Sequence, residues 1–161
     1  MMRIGVVSDT HGHVENTRAA VRMLESLEVA RVLHCGDIGS AGVVELFAPW
    51  PTEFVFGNCD GDRRGLAAAV EAAGQTCHGE FGDLTLDGRR IALIHSDDRR
   101  RFQQTISSGD WDLVCYGHTH VAAMERFGET LVLNPGALYR ANPHSLAVVE
   151  MESLEATIVT L

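Results

Sequence analysis

No CxxC pair, no excess of positive charge and no long apolar run occurs in this chain. Its four cysteines, Cys35, Cys59, Cys77 and Cys115, stand at spacings that match neither a zinc knuckle nor a small disulfide scaffold. They are expected to be free thiols of a reducing compartment. With 13 basic against 22 acidic residues the formal net charge is −9. Such a chain lacks the broad basic surface that binds a long nucleic acid or an anionic membrane by releasing counterions. A phosphorylated substrate stays open, because bound divalent cations reverse the local sign. The apolar start, Met1 to Ser8, turns polar at Asp9, too short for a signal-peptide core or a membrane span. A soluble, cytoplasmic protein is expected. No linker, repeat or low-complexity tract interrupts the 161 residues, a length that suits one domain over 1–161 with a core needing no staple.

What is present is an alternation of short apolar runs and helical stretches. Arg3–Ser8 reads as a buried strand rich in β-branched residues, followed by a helix over Val14–Glu28 with Ala20, Leu24 and Leu27 on one face. Arg31–Cys35 is a second strand, and Ser40 caps a short helix ended by Pro49. Glu53–Phe56 is a third strand, and Arg63–Ala73 a helix stopped by Gly74. Then Leu84–Leu86 and Arg90–His95 flank Asp87-Gly88, a hairpin signal. Asp98–Ser107 reads as a helix and Asp112–Tyr116 as a strand. Val121–Phe127, Thr130–Leu133, Ser145–Glu150 and Glu155–Leu161 alternate apolar and polar residues. The first half is therefore βαβαβα and the second mostly antiparallel. An α/β architecture of two mixed β-sheets packed as a sandwich flanked by helices accommodates both. The last run, Glu155–Leu161, would leave an exposed sheet edge able to serve as a contact between copies.

The polar residues with chemical potential collect where strands end: Asp9-Thr10-His11, Gly36-Asp37, Gly57-Asn58-Cys59-Asp60, His95, and Gly117-His118-Thr119-His120. Strand C-termini in α/β sheets gather on one edge, where ligands bind. Each piece alone is an ordinary turn or a buried histidine. Together they put a metal-binding oxygen or imidazole at five strand exits. His118 and His120, at i and i+2 of an extended segment, would point to one side. His13 reads as a loop histidine within reach of the substrate, and His34, inside a strand, as core. In the run Asp97-Asp98-Arg99-Arg100-Arg101, acids lead a helix start and one arginine could reach a phosphate.

The ordered set D-x-H, G-D, G-N-x-D, H and G-H-x-H resembles the calcineurin-like metallophosphoesterases, most closely the small YfcE-like bacterial phosphodiesterases. The resemblance runs from Ile4 through the Asn134-Pro135-Gly136 turn and beyond. It implies a β-sandwich flanked by helices and two divalent metal ions, manganese ahead of nickel, iron, zinc or cobalt. Asp9, His11 and His120 would hold the first ion and Asn58, His95 and His118 the second, with Asp37 bridging. Such a mixed nitrogen and oxygen set without thiolate suits those metals better than a structural zinc site. Paired ions roughly 3.5–4 Å apart activate a bridging water and clamp phosphate oxygens. By the same resemblance Asp37, Asn58 and His118 serve catalysis, while Cys59, Asp60 and His13 meet the substrate or support the ligands. Small phosphodiesters, cyclic nucleotides among them, are the implied substrates.

Three positions depart from the family. Cys59 stands where many members carry a histidine that protonates the leaving oxygen, Ser96-Asp97 follows His95 where Gly and His are common, and Ala137 replaces a frequent Ser. The alternative is a protein-binding scaffold of the same fold, resembling the retromer scaffold subunit. A scaffold can lose metal-ligating histidines without unfolding, whereas all seven expected ligand positions here carry competent residues.

Overall fold

The computed structural model describes residues 1–161. One sheet carries six strands. Three are the parallel strands of the first half: β1 (Arg3–Val7), β2 (Arg31–His34) and β3 (Thr52–Phe54). The two-residue β4 (Thr76–Cys77), which has no periodic signal, extends β3 at one edge. Of the last two strands, β10 (Ser145–Glu150) returns antiparallel along β1 and β11 (Glu155–Thr160) pairs antiparallel with β10. The order is β11-β10-β1-β2-β3-β4, so β11 is an outer edge as expected. The second sheet runs β5-β6-β7-β9-β8, from β5 (Phe81–Leu86), β6 (Arg89–Ile94), β7 (Leu113–Cys115), β8 (Ala123–Phe127) and β9 (Thr130–Asn134).

The second half is less antiparallel than its sequence suggests. The β5–β6 and β8–β9 pairs are antiparallel, but β6, β7 and β9 are parallel to one another. Nor do β9 and β10 have a solvent face. Every residue of β9, and all of β10 but Glu150, is buried. Strands covered on both faces tolerate near-continuous apolar runs.

Alternation of side chains sorts those runs into layers. Ile4, Val6, Leu33, Ile91, Leu93, Leu113, Leu131, Leu133, Ala147 and Val149 fill the space between the sheets. The opposite parity of the first sheet, Val7, Val32, Phe54, Leu146 and Val148, packs under three helices. These are α1 (Val14–Ser26), α2 (Ala41–Leu46) and α3 (Arg63–Ala72). The opposite parity of the second sheet, Ala92, Ile94, Val114 and Val132, meets Ile106 of α4 (Arg99–Ser107). Each helix starts on a side-chain acceptor: His13, Ser40, Asp62 and Asp98 receive the backbone N–H of Asn16, Val43, Gly65 and Arg101. The first helix stops short of Glu28, which turns left-handed at φ +54°. No helix is long and apolar enough to cross a membrane.

Because β1, β2 and β3 are parallel, their C-terminal ends share one edge of their sheet. Those of β6, β7 and β9 do the same in theirs. The two edges are tied together: His95 Nδ1 donates to the Cys35 carbonyl at 2.8 Å, and His118 N donates to Asp9 Oδ2 at 3.0 Å. This juxtaposition places the chemistry.

Candidate metal centre

Asp9 is fully buried. Its Oδ2 accepts from Ser8 Oγ at 2.6 Å and from His118 N, which aims Oδ1 into the cleft. There Asp9 Oδ1 lies 3.3 Å from His120 Nε2, 3.5 Å from His11 Nε2 and 3.9 Å from His95 Nε2. Asp37 is held in the same way. Its Oδ1 accepts from Cys59 N at 2.8 Å, and its Oδ2 faces His95 Nε2 at 3.1 Å and His11 Nε2 at 3.4 Å. Outward of this group, His118 Nδ1 is 3.1 Å from Asn58 Oδ1, and the His118 ring meets that of His95 at a centroid distance of 5.1 Å. All seven expected ligands therefore meet in one cleft of about 470 Å³, floored by Asp9 and His95.

The backbone is bent to achieve this. Ten non-glycine residues have left-handed φ, and seven of them are Asp9, His11, Asp37, Ser96, His118, His120 and Arg140. Such conformations cost energy and persist where the surroundings enforce them, typically at functional sites. They also correct the expected geometry of His118 and His120. With φ of +74° and +62° the segment is not extended, and the two rings diverge, His118 toward Asn58 and His120 toward Asp9. Two glycines are required by closeness. A Cβ at Gly57 would overlap the Asp37 carboxylate, and one at Gly117 would overlap Ser8 Oγ.

The donor set suits a cation. Only three buried side-chain nitrogens or oxygens lack a hydrogen-bond partner, namely Asp9 Oδ1, His11 Nε2 and His95 Nε2, and all three face the same space. Unpaired buried polar atoms are costly, and a divalent ion among them would satisfy all three. The imidazoles are set for this. His95 Nδ1–H is engaged by the Cys35 carbonyl and His120 Nδ1–H by the Arg140 carbonyl at 3.3 Å, which leaves Nε2 forward on each. Burial acts to raise the Asp37 carboxyl, but the adjacent His95 ring, the Cys59 N–H and His11 outweigh it and hold it below the usual range. Burial lowers His95, and the Asp37 and Asp9 carboxylates overcome this and raise it.

Two supports behind the ligands differ from expectation. Asp60 makes no hydrogen bond to the side chains of Asn58 or His118. Its buried carboxylate accepts from Gly57 N at 2.9 Å, Ile38 N at 3.2 Å and Gly39 N at 3.1 Å, clamping the two loops that carry Asn58 and Asp37. A short side chain with two oxygens does this where loop backbone would otherwise be unpaired. Replacing Asp60 with alanine is expected to cost about 3 kcal/mol in urea unfolding of metal-free protein. Metal affinity should fall about 10–100-fold by calorimetric titration. An unchanged affinity would make the clamp merely structural. His13 caps α1 through Nδ1, and its ring lies 5.8 Å from that of Tyr139.

His34 is core, as expected, and also a brace. Its Nδ1 accepts from Gly36 N at 3.1 Å, so its Nε2–H donates to Thr10 Oγ1 at 3.0 Å, and that hydroxyl donates to the Ile38 carbonyl. Burial, reinforced by His95 and opposed by Asp37, pushes its pKa down to about 3. The unfolded chain protonates this ring near 6.5 while the native protein does not, so the native state binds fewer protons and its stability falls as pH drops below that value. Between pH 7 and 5 this group should remove about 2 kcal/mol from the metal-free protein, read as the difference between unfolding curves of the unmodified chain and His34→Gln. His95, raised rather than lowered, acts in the opposite sense and cancels in that difference. An acid dependence untouched by the substitution would refute the assignment.

Tyr139 and Arg140 line the cleft without any signal in the sequence beyond their nearness to the Asn134-Pro135-Gly136 turn. Tyr139 packs against His11 at 5.3 Å, and the Arg140 guanidinium lies 5.3 Å from the Tyr139 ring centre with no carboxylate partner. Of the arginine run, Arg101 is spent on the Phe81 ring at 4.7 Å, while Arg99 reaches a second cavity beside His118. Ser96 is buried and its hydroxyl donates to the Gly117 carbonyl, tying the His95 and His118 loops. Ala137 is buried within the turn region.

Residues 2–154 match the family described as the calcineurin-like phosphoesterase superfamily domain. Phosphodiesterase MJ0936 of Methanocaldococcus jannaschii is 30% identical, with 99% of each chain covered. The solved structure of an archaeal phosphodiesterase superposes with a TM-score of 0.92 at 30% identity, covering 99% of this chain and 100% of the other. The YfcE phosphoesterase of E. coli shares the fold, with a TM-score of 0.68 at 19% identity and 98% of both chains covered. Fold and cleft thus define an enzyme of the metal-dependent phosphoester hydrolase class. The chain belongs to the calcineurin-like phosphoesterase superfamily.

Proposed function

We propose that this protein hydrolyses small phosphodiesters using two divalent cations. Asp9, His11 and His120 would hold one, and Asn58, His95 and His118 the other, with Asp37 available to both. The observation that carries this reading is the convergence of Asp9 Oδ1, His11 Nε2 and His95 Nε2, buried and unpartnered, around Asp37 Oδ2. When bound, such a pair of ions acidifies water to supply a nucleophile at neutral pH and neutralises charge on the phosphoryl oxygens. Manganese is the first metal to try, since the mixed nitrogen and oxygen set admits several first-row ions.

The protein's own groups do the rest. Cys59 N–H and the neighbouring imidazoles keep Asp37 ionised, and the carbonyls of Cys35 and Arg140 hold His95 and His120 with Nε2 forward. The free Arg140 guanidinium on the rim is placed to grip a phosphate oxygen, a charge-assisted contact suited to a substrate carrying one negative charge. Cys59 occupies the place of a proton donor but serves poorly. Desolvation and the Asp37 carboxylate push its thiol above its ordinary value, already too high for efficient acid catalysis near neutrality. The open rim and the complete set of ligands favour this reading over a scaffold.

Turnover of 4-nitrophenyl phosphodiesters by metal-stripped and manganese-loaded protein tests the proposal, and equal rates in the two would end it. The same assay examines the missing acid. A positioned general acid contributes about 10²–10⁴-fold, so without one kcat/KM should fall steeply as the leaving-group pKa rises. Cys59→His should flatten that slope. A flat plot for the unmodified enzyme would reveal another acid, with His13 the first residue to replace.

A further inference from the structure

A second cavity, of about 390 Å³, opens next to the cleft, and His118 lines both. Its volume is that of a small-molecule site. One wall is a single face of α4. Arg99, Phe102 and Gln103 stand at i, i+3 and i+4 and therefore side by side. Behind them Phe102 meets Tyr116 with ring centres 4.6 Å apart and planes at 44°, a half-buried aromatic platform. Around the platform the cavity presents the Gln103 amide, which both donates and accepts, the Asp97 carboxylate, which accepts, and the Arg99 guanidinium, which donates. Neither Asp97 nor Arg99 is committed to an ion pair.

We propose that this cavity binds a nucleobase, so that the substrates of the adjoining cleft are nucleotide phosphodiesters. An aromatic floor with donors and acceptors of both kinds at its margin matches a flat heterocycle whose edge carries both. A second phosphate fits less well beside Asp97, and an alkyl group would leave the three polar side chains unmatched. Since His118 belongs to both spaces, a base on the platform leaves its phosphate at the cleft.

The inference rests on the phosphodiesterase reading for its chemistry but is tested apart from it. Adenosine 5′-monophosphate and ribose 5-phosphate differ only at C1′, where a hydroxyl replaces the base. As inhibitors of methyl 4-nitrophenyl phosphate hydrolysis, the former should bind about tenfold tighter, the fold-change of one base–aromatic stack. Phe102→Leu, which keeps apolar bulk but removes the ring, and Gln103→Ala, an exposed helix position, should each bring that ratio toward one. In metal-free protein, adenosine 5′-monophosphate should shift the amide resonances of Phe102, Gln103 and Tyr116, and ribose 5-phosphate should not. This second measurement decides the cavity even if the diester is not hydrolysed, an outcome that would count against the phosphodiesterase reading alone. Equal inhibition by the two phosphates, or base-dependent shifts confined to residues elsewhere, would overturn the nucleobase site.

Discussion

Asp37→Ala is expected to leave no pair of metal ions at a productive spacing and to lower kcat/KM by about a thousandfold or more, the several kcal/mol contributed by paired cations. The reason is positional. Asp37 Oδ2 faces both His95 at 3.1 Å and His11 at 3.4 Å, the innermost nitrogens of the two halves of the cleft, whereas Asp9 Oδ1 stands 3.9 Å from His95, so Asp37 is the carboxylate better placed to be shared. Its negative charge would also screen the repulsion between two cations. Elemental analysis should find two ions per chain in the unmodified protein and at most one in the variant. Alanine also abandons the Cys59 N–H that Asp37 Oδ1 accepts. Asp37→Asn separates the effects, since the amide oxygen can keep that bond while the charge is gone, and it should be nearly as inactive. One tightly held ion, unchanged by either substitution, would sink the two-metal reading.

Two residues apart in sequence, His118 and His120 should prove to serve different ions. His120 Nε2 lies 3.3 Å from Asp9 Oδ1 and its ring 5.3 Å from that of His11. His118 Nδ1 instead faces Asn58 and its ring abuts His95. Each alanine variant is expected to lose about a hundredfold or more in activity. In crystals soaked with manganese, anomalous density should vanish from the Asp9–His11 side in His120→Ala and from the Asn58 side in His118→Ala. Loss of the same ion in both variants refutes the division.

The fold class and the strand ends that carry the candidate ligands were legible because both depend on local patterns. Short β-branched runs broken by Gly-Asp, Gly-Asn and Gly-His announce strands and their exits, and all seven expected ligands lie at those exits. The N-cap Ser40, the helix start at Asp98, the Asp87-Gly88 hairpin and the stop at Gly74 involve only near neighbours in the chain. The direction of β7 and β9 in their sheet was not legible, because strand pairing is settled by partners distant in sequence. For the same reason Thr130–Leu133, which reads as an alternating apolar and polar run, belongs to a strand buried on both faces.

The chain alone thus determined which residue types are on hand for metal chemistry and on which ends of which strands they sit, since hydrophobic periodicity and turn chemistry act over a few residues. Only the tertiary structure decided which atoms meet. Asp60 holds backbone rather than ligand side chains, His118 and His120 part company through left-handed backbone, and Arg140 and the Phe102–Tyr116 platform arrive beside the cleft. Each of these depends on contacts between segments far apart in the chain, where close packing of two sheets and four helices, not local preference, sets the position of every side chain.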